Sequence, residues 1–375
     1  MIDTVILSLP RSRTREFKPY THEVEGWNLQ ARTEAYTKYV KNPSSKDKES
    51  GLYFPRLTGI HRAQGKQEWE STIYIEFSAP KLLFNNNLDE LEEGDFERVL
   101  STLAERLMFM GVIVPIEVLR TTSVKAIHYS RNIELCNGYT AAFVIRELSK
   151  LNPSKRFDLT RFRYINDGMS LQIYSTAHSF VIYDKIADLA KGKRKAIDKD
   201  QSPEQSSLFA EYKKRQDDIL RLEVRLSQKR KLNALFKQLG FEANPTFHDA
   251  FSLAKSQKIL QHYWDTLVAG YGISVLAHGS SPKDLFSQVL LARRGIKGKE
   301  AIYLVGLILL ARDENGMREL RSMLSRSMDE RSWYRLAANL RGVGADLAKL
   351  RPREWHGQVE KALKTYQPFK LACKQ

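Results

Sequence analysis

Cysteine is nearly absent: the 375-residue chain holds only Cys136 and Cys373. Two thiols so far apart make neither a zinc cluster nor a disulfide framework, and they fit a reducing cytoplasm. The chain also lacks a His-hydrophobic-His triplet, an HExxH helix, a CxxC pair, a Walker loop and a GxGxxG turn. Zinc proteases, P-loop ATPases and dinucleotide enzymes therefore have no foothold, and any helicase work falls to a partner. Long apolar runs are missing too. The longest, Ala301 to Ala311, is about half of the ~20 residues a membrane span needs. Met1 to Pro10 has no basic leader followed by a longer hydrophobic stretch, so it does not read as a secretory signal, and no membrane partner is expected. Acids are in deficit, with 44 Asp and Glu against 60 Lys and Arg, a formal charge of +16. That balance favours a polyanionic partner, nucleic acid first and an anionic membrane surface second.

What is present reads as an α+β chain. With 42% apolar residues it is long enough for two folded parts. Ile2 to Leu9, Ser71 to Phe77, Val124 to Ser130 and Ser170 to Tyr183 alternate or run apolar as strands do, while Asn85-Asn86-Asn87 marks a turn. Helical spacing covers Leu88 to Met110 and Gly138 to Leu148, and a helix from about Leu208 leads to a further strand. From Lys191 to Ser207 the chain is rich in Lys, Asp, Gln and Ser, as a surface segment is. Past Gly240 helices take over: Thr246 starts one running to about Leu267 and Ser281-Pro282-Lys283-Asp284 starts another. Two more, Glu314 to Arg326 and Glu330 to Leu340, meet at a turn near Asp329. The expected architecture is an antiparallel-rich sheet with flanking helices over 1–240, then an all-helical module over 241–375.

Two segments carry chemistry. Ser179-Phe180-Val181-Ile182-Tyr183-Asp184-Lys185 places a tyrosine beside a lysine at a strand end. Leu220 to Leu226 sets Leu220, Leu222, Val224 and Leu226 on one face and Arg221, Glu223 and Arg225 on the other. A phenol activated by an ammonium, a carboxylate that binds a divalent ion, and arginines to hold phosphate are the parts that break and rejoin a DNA strand. Tyr183 also suits plain packing at a strand end, and Glu223 between two arginines suits an exposed ion-paired strand. His128 is the second ligand expected beside Glu223, unless it is structural. Asp184 and His178 follow as third ligands, and Glu76 after them. The run Lys191, Lys193, Arg194, Lys195 and Lys199 fits a phosphate-tracking loop as well as a solvated charge run. Arg318, Arg321, Arg326, Arg331, Arg335 and Arg341 stud the last two helices around Trp333 and Tyr334. A helix-turn-helix surface on duplex DNA would use them, although the aromatic pair equally suits a core.

At these residues the chain resembles the replication initiators of filamentous bacteriophages, the gene II protein family with its shorter gene X relative. The likeness runs through Met1-Ile2-Asp3-Thr4-Val5-Ile6-Leu7-Ser8-Leu9-Pro10, Ile75 to Leu83, Tyr183-Asp184-Lys185, Arg221 to Leu226 and Ser332-Trp333-Tyr334-Arg335, in the family's order. The resemblance implies a rolling-circle initiator. Tyr183 would nick the plus strand at the origin with Lys185 behind it, and Arg221 and Glu223 would form the family's Arg-x-Glu strand. It further implies Mg²⁺ or Mn²⁺, a host helicase and polymerase, and origin DNA in both duplex and single-stranded form; a homodimer is an added possibility. His128 stands where the best-known member carries an acid, which keeps a ligand but alters its chemistry. The wider class of nickases uses a paired-histidine motif that this chain lacks, so the kinship to that class is one of analogy. The competing expectation is a non-catalytic basic DNA-binding regulator of phage or plasmid replication.

Overall fold

Ten antiparallel strands hydrogen-bond into one sheet in the order β2-β3-β4-β5-β1-β6-β10-β9-β8-β7. The strands are β1 (Ile2–Pro10), β2 (Asn28–Thr33), β3 (Tyr36–Lys41), β4 (Arg56–Gln64), β5 (Glu68–Ser78), β6 (Ser123–Glu134), β7 (Arg161–Ile165), β8 (Ser170–Tyr174), β9 (His178–Asp184) and β10 (Ile219–Leu226). The structure is a computed structural model. It describes the chain apart from residues 15–25, 45, 46, 48, 65–67, 137, 152–160, 166–168, 191–217, 269–280, 294, 314, 315, 351–354 and 371–375. The basic run from Lys191 to Lys199 and the helix expected from Leu208 lie outside the described residues.

The period-2 pattern decides which side of the sheet is wet. Leu220, Leu222, Val224 and Leu226 are fully buried, as are Ile127 and Tyr129 of β6 and Phe180 and Ile182 of β9. That face is covered by helices α4 (Ala141–Ser149), α6 (Lys229–Gln238), α7 (Phe247–Ala250), α8 (Leu253–Val268) and α13 (Trp355–Thr365). Cutting one such leucine back to alanine costs about 2–5 kcal/mol, because the surrounding core closes the cavity only in part.

Three helices start or stop away from their sequence-predicted bounds because of a local cap, and the one expected over Glu330 to Leu340 runs on to Leu350. α1 (Ala79–Phe84) ends at Asn85 in the left-handed region, φ 53°, and Asn86 Oδ1 accepts from the N–H groups of Leu88 and Asp89. Helix α2 therefore starts only at Phe96, behind a capping box of Glu92 and Asp95, and runs to Phe109. A short helix, α3 (Ile116–Arg120), precedes β6. Thr246 does cap a helix, but α7 stops at Ala250, and α8 begins afresh where Glu93 Oε1 accepts from Leu253 N at 2.8 Å. Thr140 caps α4 through its hydroxyl, so that helix opens at Ala141. Ser281 and Asp284 form a capping box at the expected helix start, with Pro282 in the first turn.

The buried residues fall mainly into two clusters. The first unites the sheet with α2, α4 and α6 to α8, and with Trp355, Val359, Leu363 and Tyr366 near the end of the chain. The expected boundary near Gly240 falls inside this core, since Phe247, Ile259, Tyr263 and Trp264 pack in it. The second is helical: α9 (Pro282–Ala292), α10 (Gly298–Arg312), α11 (Gly316–Leu324) and α12 (Glu330–Leu350) enclose Leu285, Leu304, Ile308, Leu320, Trp333 and Leu340. Gly316 lies where the two meet. Its φ is +50°, and a Cβ there would come 2.6 Å from Lys150 Cβ, while Lys150 Nζ donates to Arg312 O at 2.8 Å. Among the described residues no helix is long and apolar enough to cross a membrane.

Candidate active site

The four central strands β1, β6, β10 and β9 bring their polar residues to one place. Along β10, Arg221, Glu223 and Arg225 share the face opposite the helix-covered one. Their register partners are Asn132, Ser130 and His128 on β6, and Tyr183, Val181 and Ser179 on β9. Tyr183 and His128 are thus the diagonal neighbours of Glu223 on its two sides, a separation that long side chains bridge. The Tyr183 hydroxyl donates to Glu223 Oε2 at 3.0 Å. His128 Nδ1 lies 3.4 Å from Glu223 Oε1, and Arg225 Nε donates to that same oxygen at 2.8 Å.

Asp3 completes the group from β1. Between Ile2 and Val5 the register against β6 slips by one residue, since Ile2 faces Tyr129 and Val5 faces Ile127. Bulges of this kind re-aim side chains, and the Asp3 carboxylate comes within 2.7 Å of Arg221 Nη2. Arg221 is buried and donates to Asn87 O at 2.9 Å, Asn132 Oδ1 at 3.2 Å and Ser130 Oγ at 2.8 Å. The asparagine turn read from the sequence thus holds an arginine of the site. Lys185 opens helix α5 (Lys185–Ala190) rather than continuing the strand. It is fully buried, its Nζ has no hydrogen-bond partner among the described residues, and that Nζ lies 5.9 Å from the centroid of the Tyr183 ring.

These groups set one another's charge. Burial opposes ionisation of Glu223, yet Arg225, the His128 hydrogen bond and Arg221 hold its carboxyl well below the usual range. Burial pushes the Tyr183 phenol well above its ordinary 10.0, offset only in part by Arg221. Burial, with Arg221 and Lys81 beside it, lowers Lys185 to about 7, against the pull of Asp3 and Asp188. Near neutrality the site therefore holds an ionised carboxylate, a protonated phenol and an amine divided between its two forms.

Asp3, His128 and Glu223 each offer a ligand atom, and these atoms lie within 4.8 Å of one another. Two ligands on one octahedral Mg²⁺ at its usual bond length are about 3 Å apart when adjacent and about 4.2 Å when opposite, so the three groups would draw closer together to share an ion. An imidazole with two carboxylates suits Mn²⁺ better than Mg²⁺, which prefers oxygen alone. The donor set fits a divalent ion.

Of the residues expected from sequence, Tyr183, Lys185, Arg221, Glu223, His128 and Arg225 come together. Asp184 does not: its register partner is Leu220 on the helix-covered face, and its Oδ1 accepts from Ala187 N at 2.9 Å at the start of α5. His178 points to the same covered side, where its Nδ1 lies 2.6 Å from the Tyr263 hydroxyl. Glu76 sits on β5, beyond β1 from the cluster, facing Ile6 and Arg56. Lys191, Lys193, Arg194 and Lys195 lie outside the described residues. In the helical cluster Arg318 donates to Ser149 O, Arg321 lies 3.6 Å from Glu330, and Arg335 donates to Ser332 Oγ at 3.3 Å. Arg331 and Tyr334 are exposed, whereas Trp333 is core. Asp3 was missed. Its signal was an acid inside an otherwise apolar strand, where an unpaired charge would be costly. Compared with protein-family models, curated protein sequences and solved structures, the chain gives no match.

Proposed function

We propose that the chain is a metal-dependent, site-specific DNA nickase and strand transferase of the rolling-circle type. The observation that carries this reading is the Tyr183 hydroxyl on Glu223 Oε2, with Asp3 and His128 grouped around the same carboxylate. A tyrosine nucleophile, an ion-binding cluster and buried cations within one side-chain length fit phosphodiester exchange. The Tyr183 oxygen attacks a plus-strand phosphorus, a 5′-phosphotyrosine forms and the 3′-oxygen leaves. The phenolic proton departs and the leaving oxygen takes one up. The phenolic proton points at Glu223 Oε2, and Lys185, near 7 with its Nζ 5.9 Å from the ring centroid, is a second titratable group close to the ring. A later 3′-hydroxyl attacks the phosphotyrosine, closes the displaced strand into a circle and restores the phenol. Neither exchange consumes ATP. Asp3, His128 and Glu223 would hold a Mg²⁺ or Mn²⁺, which would supply Lewis acidity toward the scissile phosphate. Arg221 orients Asp3 and offsets developing negative charge.

In this reading the sheet with its helices performs the chemistry, and helices α9 to α12 bind duplex origin DNA or mediate assembly. A host helicase and polymerase act at the free 3′-end. The second reading is a non-catalytic DNA-binding regulator. It is favoured by Tyr183 being only 8% exposed and by the arginines already neutralising Glu223, as in a structural polar network. The deciding experiment incubates the protein with supercoiled DNA bearing the origin of its own replicon, with and without Mg²⁺ or Mn²⁺. Metal-dependent relaxation with a covalent protein–DNA adduct supports the nickase. Origin binding that survives EDTA with no nick under any condition supports the regulator.

A further inference from the structure

The polar face of the sheet does not end at the cluster but continues over β1, β5, β4 and β3. Along β1 and β5 buried residues alternate with half-buried ones, Ile6 and Ser8 on one strand and Tyr74 and Glu76 on the other. Two cation–aromatic pairs stand on this side. Lys125 Nζ lies 3.4 Å from the centroid of the Tyr74 ring, and Arg62 Cζ lies 5.8 Å from that of Tyr36. Lys125 owes its direction to a second register slip. Ile6 faces Ala126 while the next residue, Leu7, faces Val124, which leaves Lys125 as the extra residue of a bulge.

The potential here is positive. Burial first and then Lys38 lower the Lys125 ammonium, Glu76 pulls the other way, and Arg62 adds a smaller push downward. Glu70 faces Arg62 and Glu76 faces Arg56 across β4 and β5, while Lys38 and Lys125 add positive charge with no acid opposite them among the described residues, an excess that draws an anion from outside. Aromatic faces that project from a sheet between cations fit bases free of a complementary strand, because a paired base keeps its face inside the duplex. From β3 to β10 is five strand spacings, about 24 Å, a length suited to the short end of single-strand site sizes, about 4–16 nucleotides.

We propose that this face, marked by Tyr36, Lys38, Arg62, Tyr74 and Lys125, is a track for a single-stranded polynucleotide that leads its phosphates to Glu223 and Tyr183. The proposal rests on the strand-transfer reading above and adds the path by which substrate reaches it. Bases stack on Tyr74 and Tyr36 while Lys38, Arg62 and Lys125 carry the backbone.

The test measures binding of fluorescent (dT)20 in EDTA across a salt series, so that no cleavage is involved. The triple variant Lys38→Gln, Arg62→Gln, Lys125→Gln should bind at least tenfold more weakly. Its log K against log salt should be shallower by about 2, at about 0.7 per lost contact on single strands. Tyr74→Ala should lose roughly tenfold, and Tyr74→Phe should keep binding because the ring remains. With 5-iodouracil in the oligonucleotide, wild-type protein should crosslink at Tyr74 or Tyr36, a readout that does not depend on how any variant folds. Unchanged affinity and slope, crosslinks confined to other elements, or variants that lose only duplex binding or only anionic-vesicle binding would overturn the track. An active nickase with unmoved (dT)20 affinity sinks this inference alone. A protein that never nicks, yet loses (dT)20 in these variants, sinks the catalytic reading and leaves the track standing.

Discussion

Asp3 and Arg221 face each other at 2.7 Å although they come from β1 and β10, which are not neighbours in the sheet. β6 lies between them and contributes Ser130 and Asn132 to the same guanidinium. The arginine thus ties three strands together on the polar face and fixes where the Asp3 carboxylate points. Removing either partner leaves a buried charge, which costs about 3–5 kcal/mol.

Tyr183→Phe removes the oxygen proposed as nucleophile and one hydrogen bond to Glu223, a loss of about 1 kcal/mol in stability. The variant should fold and bind origin DNA as before, while the covalent adduct disappears. A denaturing gel with labelled origin DNA decides it; an adduct from the Phe variant would move the nucleophile to another tyrosine.

Glu223→Gln and Asp3→Asn each remove a charge from the ion-binding group while keeping its shape. Mn²⁺ binding, followed by its paramagnetic resonance signal, should weaken about tenfold or more in each. Cleavage in Mg²⁺ should fall about 100-fold or more for Glu223→Gln, the scale of losing one electrostatic stabiliser. Because Mn²⁺ binds such ligands more strongly than Mg²⁺ does, it should rescue part of the loss. Normal Mn²⁺ binding by both variants would return Asp3 and Glu223 to a purely ion-paired role.

Lys185 makes stability depend on pH. Its folded value of about 7 lies below the 10.5 of an exposed lysine. Between those values the unfolded chain binds more protons than the folded one, so stability rises with pH across that window. Below about pH 7 both states carry the proton and the full burial penalty applies. Lys185→Met lacks this term. Wild type should therefore gain on the variant by up to about 1.4 kcal/mol per pH unit from pH 7 to 10 in urea unfolding. Parallel curves would mean that the amine is solvated.

Truncation at Gly240 should yield insoluble protein, because it removes Phe247, Tyr263, Trp264 and Trp355 from the main core. Replacing residues 282–350 by a flexible linker leaves that core intact and deletes the second one. This chain should still cut single-stranded origin DNA but bind duplex origin more weakly, its salt slope flattened by about 0.9 per lost phosphate contact. Unaltered duplex affinity would assign the four helices to assembly.

Six of the ten strands were legible, because alternation in segments such as Leu220 to Leu226 leaves little choice of face; β2, β3, β4 and β7 were not read, and β2 is exposed along its whole length, so it carries no apolar stripe to betray it. The chemistry on β10 followed from the same alternation, and the diagonal positions of Tyr183 and His128 needed only the strand order. Asp3 could not be placed this way, since its aim depends on a bulge that one strand alone does not reveal. Asp184 was misassigned by one residue of phase: neighbours in a strand point to opposite faces, and Tyr183 took the polar one. The division of the chain was obscured because helix-rich sequence after Gly240 serves two cores, and helical periodicity does not say which core a face will meet.

The last helix has a bearing on timing. The Tyr366 hydroxyl bonds to Ser256, which also donates to Met1 O, beside the strand that carries Asp3. On the ribosome, all ten strands emerge before α13 does, and their apolar face waits for Trp355, Val359 and Leu363. The apolar face of the sheet therefore gains its full cover only after α13 has followed all ten strands out of the ribosome.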